Sequence, residues 1–200
     1  MRSKQIMAAT AVALLAGVAA CTGGRSGTVY NSSFTVGYDP RSLSAAMSRA
    51  PLLVETVGTP TEGQAEEDVS RATVQALRQR GPAWLPGNFT ASPVDAGNGP
   101  YRLRIAYAMP LAFDRQRVCK TGTDTAAMEA ERRESDAGST RTVASLCRGE
   151  RTLGIAEGSP GSEAQLGDDD FARFIGHLSR EAMPRRNPVM DDDCVLRTCN

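Results

Sequence analysis

Only two of the 23 basic residues in this 200-residue chain are lysines, Lys4 and Lys120; histidine occurs once, and aromatic residues make up 5%. Each scarcity narrows what the chain can do. Basic and acidic residues balance at 23 each, so no positive surplus is present to attract a nucleic-acid backbone. The single histidine, His177, has no G-x-S-x-G elbow to supply a serine for it to activate. None of the five cysteines falls in the C-x-x-C spacing that metal sites and thioredoxin-like redox sites use. So few aromatics leave a modest core built from leucine, valine, isoleucine and alanine. Beyond residue 20 no apolar run approaches the ~20 residues of a membrane-crossing helix.

The one long apolar run lies at the start. Arg2 and Lys4 precede an uncharged, alanine-rich stretch from Ile6 to Ala20, which stops at Cys21 and is followed by Thr-Gly-Gly. As a helix it spans about 22 Å at ~1.5 Å per residue, too short for a permanent span. Val18-Ala19-Ala20-Cys21 resembles the lipobox of bacterial lipoproteins, with an apolar residue and two small ones before a cysteine. The resemblance implies that residues 1–20 are a signal peptide and that cleavage falls before Cys21. It further implies that Cys21 carries a diacylglycerol thioether and an acylated amino terminus. Two or more acyl chains hold a protein to a membrane where one binds only marginally. Thr22 stands where lipoproteins kept at the inner membrane usually have aspartate, which implies the outer membrane, facing the periplasm. The other reading of these residues is an ordinary signal peptide cleaved after Ala20, with Cys21 free.

Cleavage leaves 180 residues with 21 basic and 23 acidic side chains, enough for one domain. Residues 22–29 (TGGRSGTV) read as a flexible tether. With the lipidated cysteine they open an irregular segment over 21–50, in which "RSLSAAMSRA" after Asp39-Pro40 makes a short helix ended by Pro51. The globular domain is expected over 51–185. "LLVETVG" (52–58) reads as a strand. Residues 64–80 read as a helix, with Glu66, Glu67 and Asp68 at its start and Arg78 and Arg80 at its end, matched to the helix dipole. "NFTAS" (88–92) is a weak strand. "YRLRIAYAM" (101–109) alternates strictly, its apolar face packing and its arginine face predicted to meet solvent. The charged run 122–141 lacks apolar periodicity and reads as a loop or a loose, solvated helix. "TVASLC" and "RTLGIA" form a hairpin around Arg148-Gly149-Glu150. A second amphipathic helix covers 168–183, and the tail, 186–200, is irregular. The fold class predicted is α+β: one twisted, mostly antiparallel sheet with two amphipathic helices packed on one face.

Taken in order, "PLLVETVG", a helix, "GNFTAS", "YRLRIAYAMP", "SLCRGERTL" and "DDFARFIGHLSREAMP" resemble a group of small proteobacterial lipoproteins of unknown function. The resemblance covers most of residues 51–185 and implies no activity.

After Cys21, four cysteines remain in a chain expected to be exported, and an even count reads as two disulfides. The pairs expected are Cys119–Cys147, tying the ends of the charged run, and Cys194–Cys199, pinning the tail locally. His177 falls on the polar flank of its helix. Asp168–Asp170 and Asp191–Asp193 lack the alternating ligand spacing of a calcium loop, so helix capping and solvation account for them. No cofactor, metal or nucleic-acid partner is implied. The expected role is that of a lipid-anchored, non-enzymatic periplasmic domain, serving envelope assembly or maintenance by binding another envelope component. The alternative is a small-ligand binding module or a hydrolase whose carboxylates meet only in the fold.

Overall fold

The alternating stretch near residue 101 is the middle of the molecule. In the computed structural model, which describes residues 26–120, 127–128, 130 and 140–191, it forms a strand flanked on both sides. The strands are β1 (Gly27–Phe34), β2 (Leu52–Val57), β3 (Phe89–Thr90), β4 (Tyr101–Ala106), β5 (Thr142–Arg148) and β6 (Arg151–Pro160). They form one open sheet in the order β1-β6-β5-β4-β2-β3. Three neighbouring pairs are antiparallel, whereas β2 runs parallel to both β3 and β4. The sheet is therefore mixed. The parallel part follows from a connection that the sequence does show: β2 returns to β3 through a helix, and a crossover of that length permits parallel pairing.

That helix is α2 (Glu66–Arg80); a short helix, α3 (Pro93–Ala96), follows β3, and the second long helix is α4 (Asp169–Ala182). Both pack on the same face, with Val69, Val74, Leu77, Phe171, Phe174 and Leu178 buried against Leu52, Val54, Leu103 and Leu146. Asp168 caps α4 by accepting from the Phe171 amide at 2.6 Å. Asp169 and Asp170 follow in its first turn, where carboxylates suit the dipole. Tyr107, just after β4, is fully buried, stacks on Phe171 and shares a 2.7 Å hydrogen bond with the Thr73 hydroxyl. Burial raises its phenol above the ordinary tyrosine range.

The predicted domain start is corrected. The sheet begins at Gly27, inside the stretch read as tether, and β1 pairs with β6 along its length. Its sequence, GTVYNSSF, is polar because β1 is an edge strand with several exposed positions. Within residues 30–50 the short helix expected after Asp39-Pro40 is present. Asp39 accepts from the Arg41 amide and caps α1 (Pro40–Met47), whose Leu43 and Met47 enter the core. At the other end the chain stays fastened beyond 185. Asn187 is buried and donates to the Tyr38 carbonyl at 2.7 Å, ahead of a short helix, α5 (Pro188–Asp191).

The far face of the sheet differs most from expectation. It is covered by the chain between β4 and β5, where Val57, Ala106, Met109, Phe113, Val118, Met128, Val143 and Ile155 form a second apolar cluster. Met128 lies inside the run read as a loop or a loose, solvated helix; residues 127, 128 and 130 are helical, but Met128 is fully buried. Among the described residues, no helix is long and apolar enough to cross a membrane.

Candidate functional site

Strand register places the far-face side chains in rows. Glu55 sits beside Arg104 and Arg104 beside Ser145; Val57, Ala106, Val143, Glu157 and Asn31 make the next row across the sheet. The arginines there are not solvated. Arg104 is 4% exposed, and its guanidinium donates to the carbonyls of Val118, at 2.7 Å, and Lys120. Arg102 reaches the Cys119 carbonyl at 2.7 Å. Arg141 donates to the Pro110 carbonyl at 2.5 Å and binds Glu157 through two nitrogens, at 2.8 and 2.6 Å. Arg115 also contacts Glu157, and Asn31 donates to it at 3.2 Å.

The physical reason is main-chain accounting. Over residues 107–120 the covering chain is irregular apart from a five-residue 3₁₀ turn, Arg115–Cys119, so its carbonyls there lack the donors that a helix would supply. A guanidinium carries five N–H groups in a rigid fork and serves several carbonyls from one buried position. Glu55 lies 3.0 Å from Arg104 Nε and 3.5 Å from Arg102 Nε and balances their charge. Burial still lowers the Arg104 guanidinium from its ordinary value, with Glu55 opposing the shift. Cys119 and Cys147 form the expected disulfide, which fixes the end of the 3₁₀ turn to β5. These groups are engaged in holding a cover on a sheet.

A different surface is open. β4 pairs with β2 from Leu53 to Val57, but β3 pairs with it only at Leu52 and Leu53. Beside the remaining length of β2 lies a groove of about 740 Å³, walled by α2 and bordered by Val54, Thr56, Ser70, Val74 and Gln75. Glu66 and Glu67 stand at one end and Arg78 at the other. Glu67 is ion-paired with Arg71, as is Asp68. Arg78 donates twice to the Phe89 carbonyl, at 3.0 and 2.6 Å, and so closes the outward side of β3. A second groove of about 670 Å³ runs between α1 and residues 95–101, with Arg49, Asp95 and Arg148 on its rim.

The residues singled out by sequence are scattered. His177 is exposed on α4, 3.8 Å from Glu181. Asp169 bridges Arg80 at 2.8 Å and also contacts Arg173. The two Arg80 and Arg173 hydrogen bonds hold its carboxyl below the ordinary aspartate value. Among the described residues no three histidine, cysteine, aspartate or glutamate side chains gather where they could hold a metal. Cys21, Cys194 and Cys199 lie outside the described residues. The groove was missed because an empty lane beside a strand is a property of pairing. The one hint was the weakness of "NFTAS", which becomes a strand of two residues. Compared with family models, with curated proteins and with solved structures, the chain matches none.

Proposed function

We propose that this chain is a lipid-anchored periplasmic domain that acts without catalysis, binding another envelope component through the groove beside β2. One observation carries the reading: the chain enters the sheet at the edge opposite that groove. β1 and β2 stand four places apart in the strand order, a distance of about 19 Å at ~4.8 Å per strand. Cys21 precedes Gly27 by six residues, which reach at most about 20 Å when extended. Lipid on Cys21 would hold the β1 edge near the membrane and leave the β2 edge facing away, where a partner has access. Of the three acids bordering the groove, Glu55 and Glu67 are each engaged by arginine, and Glu66 alone has no ion-pair partner among the described residues. The groove therefore offers no pair of unengaged carboxylates, which favours binding over hydrolysis.

The test is processing and location. Wild-type protein grown with labelled palmitate takes up label and fractionates with the outer membrane. Globomycin, or Cys21→Ala, leaves an unlabelled, heavier precursor. A Cys21→Ala protein that is still cleaved and collects as a soluble periplasmic form overturns the anchor.

A further inference from the structure

We propose that the open stretch of β2, Val54–Val57, is a strand-addition site. In this reading an extended segment of a partner polypeptide becomes a further strand beside it, with a basic side chain at the Glu66 end. The inference rests on reading the groove as a binding surface and names what fills it.

Leu52 donates its N–H to the Asn88 carbonyl at 2.8 Å, on the β3 side. Val57 offers its carbonyl to the Tyr107 N–H at 2.9 Å, on the β4 side. Main-chain groups alternate sides along a strand, so the even-numbered residues address β3 and the odd-numbered ones address β4. The β3 ladder ends at Leu53–Thr90. The Val54 carbonyl and both the N–H and the carbonyl of Thr56 therefore border the groove, and no strand among the described residues pairs there. Acceptor, donor and acceptor at strand spacing match another extended backbone better than any compact ligand.

Contrast with β3 and with the opposite edge, β1, strengthens this. Exposed strand edges are usually blunted by charge, a bulge or a cover. Arg78 does this for β3 at Phe89, and a register shift between Val29 and Asn31 interrupts β1. Val54–Val57 has neither device. It has instead the α2 wall, with Val74 buried and Gln75 exposed, a surface on which alternate side chains of an added strand can rest. Charge sets the polarity of the segment. Glu66 has no ion-pair partner among the described residues, and Glu67 shares Arg71 with Asp68, so this end attracts a cation. The same glutamates disfavour a phosphate-bearing ligand.

The experiment uses the full processed protein, purified in detergent from whichever cell fraction holds it. The probe is a short synthetic peptide of alternating valine and threonine with lysine at one end. The control is that peptide N-methylated at alternate main-chain nitrogens, which removes its pairing donors. Amide exchange is followed by NMR. Without peptide the Thr56 amide exchanges much faster than those of Glu55 and Val57, which face β4. With peptide, Thr56 slows at least about tenfold, the effect of one or two hydrogen bonds, and the N-methylated peptide has no effect. Thr56→Pro removes the edge N–H, which β4 does not use, and abolishes peptide binding. Gln75→Trp fills the groove from exposed helix surface and does the same if the proline variant fails to fold. Three results overturn the proposal: a Thr56 amide already as slow as Val57 without peptide, equal protection by the N-methylated peptide, or protection that grows with protein concentration alone and marks a second copy. None of these measurements depends on lipid at Cys21, so failure of the anchor and failure of strand addition remain distinguishable.

Discussion

The two faces of the sheet are covered by different chemistry. On one side α2 and α4 bring apolar side chains and glycine contacts, with little need of ionic help in the interface. On the other, the stretch 107–120, irregular apart from its 3₁₀ turn, lies over β4, β5 and β6, and buried Arg104, Arg141 and Glu157 stand beneath the cover. A helix satisfies its own main chain, so covering a sheet with one asks mainly for matched apolar surface. An irregular cover brings unsatisfied carbonyls into the interior, and each needs a donor. Arginine meets that need here, glutamate offsets its charge, and a disulfide holds the cover in register.

Breaking the ionic core of the far face is therefore the most damaging change. Arg141→Met removes the donor to Pro110 and leaves Glu157, 5% exposed, with Arg115 and Asn31 alone. Removing one partner of a buried ion pair costs about 3–5 kcal/mol. Urea unfolding should show a loss in that range. A loss below about 1 kcal/mol, typical of an exposed pair, would mean that Glu157 finds water and that the covered-face account is wrong.

The disulfide comes next. Cys119 and Cys147 are 28 residues apart, and closing a loop of that length constrains the unfolded chain by about 3–4 kcal/mol. The double substitution to alanine should lower stability by that order and release the far face before the helix face. Hydrogen exchange at Arg117 and Lys120, whose amides donate within the turn, would then quicken while Leu178 remains slow. Equal loosening of both faces would refute the division.

The helix face has its own sensitive point. A Cβ at Gly176 would lie 2.4 Å from the Arg80 carbonyl oxygen and 2.6 Å from the Arg80 Cβ. Gly→Ala inside a helix ordinarily stabilises by up to about 1 kcal/mol. Here the sign should reverse, with a net loss of about 1–3 kcal/mol as α4 is pushed off α2. Thermal unfolding of Gly176→Ala decides it, and a raised midpoint would show that the helices can part freely.

What the sequence disclosed followed the same division. β4, α2, α4 and the hairpin at Gly149 were legible because repeating patterns of two or 3.6 residues record burial against a flat or helical surface. Cys119–Cys147 was legible from cysteine count and position. Arg102 and Arg104 read as solvent-facing because alternation distinguishes polar from apolar and cannot tell a solvated arginine from one serving buried carbonyls. β1 was hidden for a related reason: an edge strand with few buried positions looks like a tether. Parallel pairing of β2 with β4 brings together segments separated by α2 and β3, and no local pattern encodes it. The candidate groove depends on β3 stopping after Thr90, so its location emerges only from the pairing.

The smallest effect expected lies in the exposed ion pairs of the helix face, and it sharpens the contrast with Glu157. Asp169 is held below the ordinary aspartate value by hydrogen bonds from Arg80 and then Arg173. A folded-state value below the unfolded one means that Asp169 contributes stability above about pH 4, near the unfolded value. That contribution is lost as pH falls through the lower, folded value. Asp169→Asn should therefore flatten the acid limb of a plot of unfolding midpoint against pH, leaving stability at neutral pH only slightly reduced. Because Asp169 and its arginine partners are about half exposed, salt should remove most of the difference between variant and wild type. The deficit of Arg141→Met, by contrast, should persist in high salt, because Glu157 and Arg141 are screened by protein. Unfolding midpoints for both variants at low and high ionic strength, between pH 3 and pH 7, make the comparison directly. An Asp169→Asn deficit that survives salt, or an Arg141→Met deficit that disappears in it, would reverse the assignment of surface and interior.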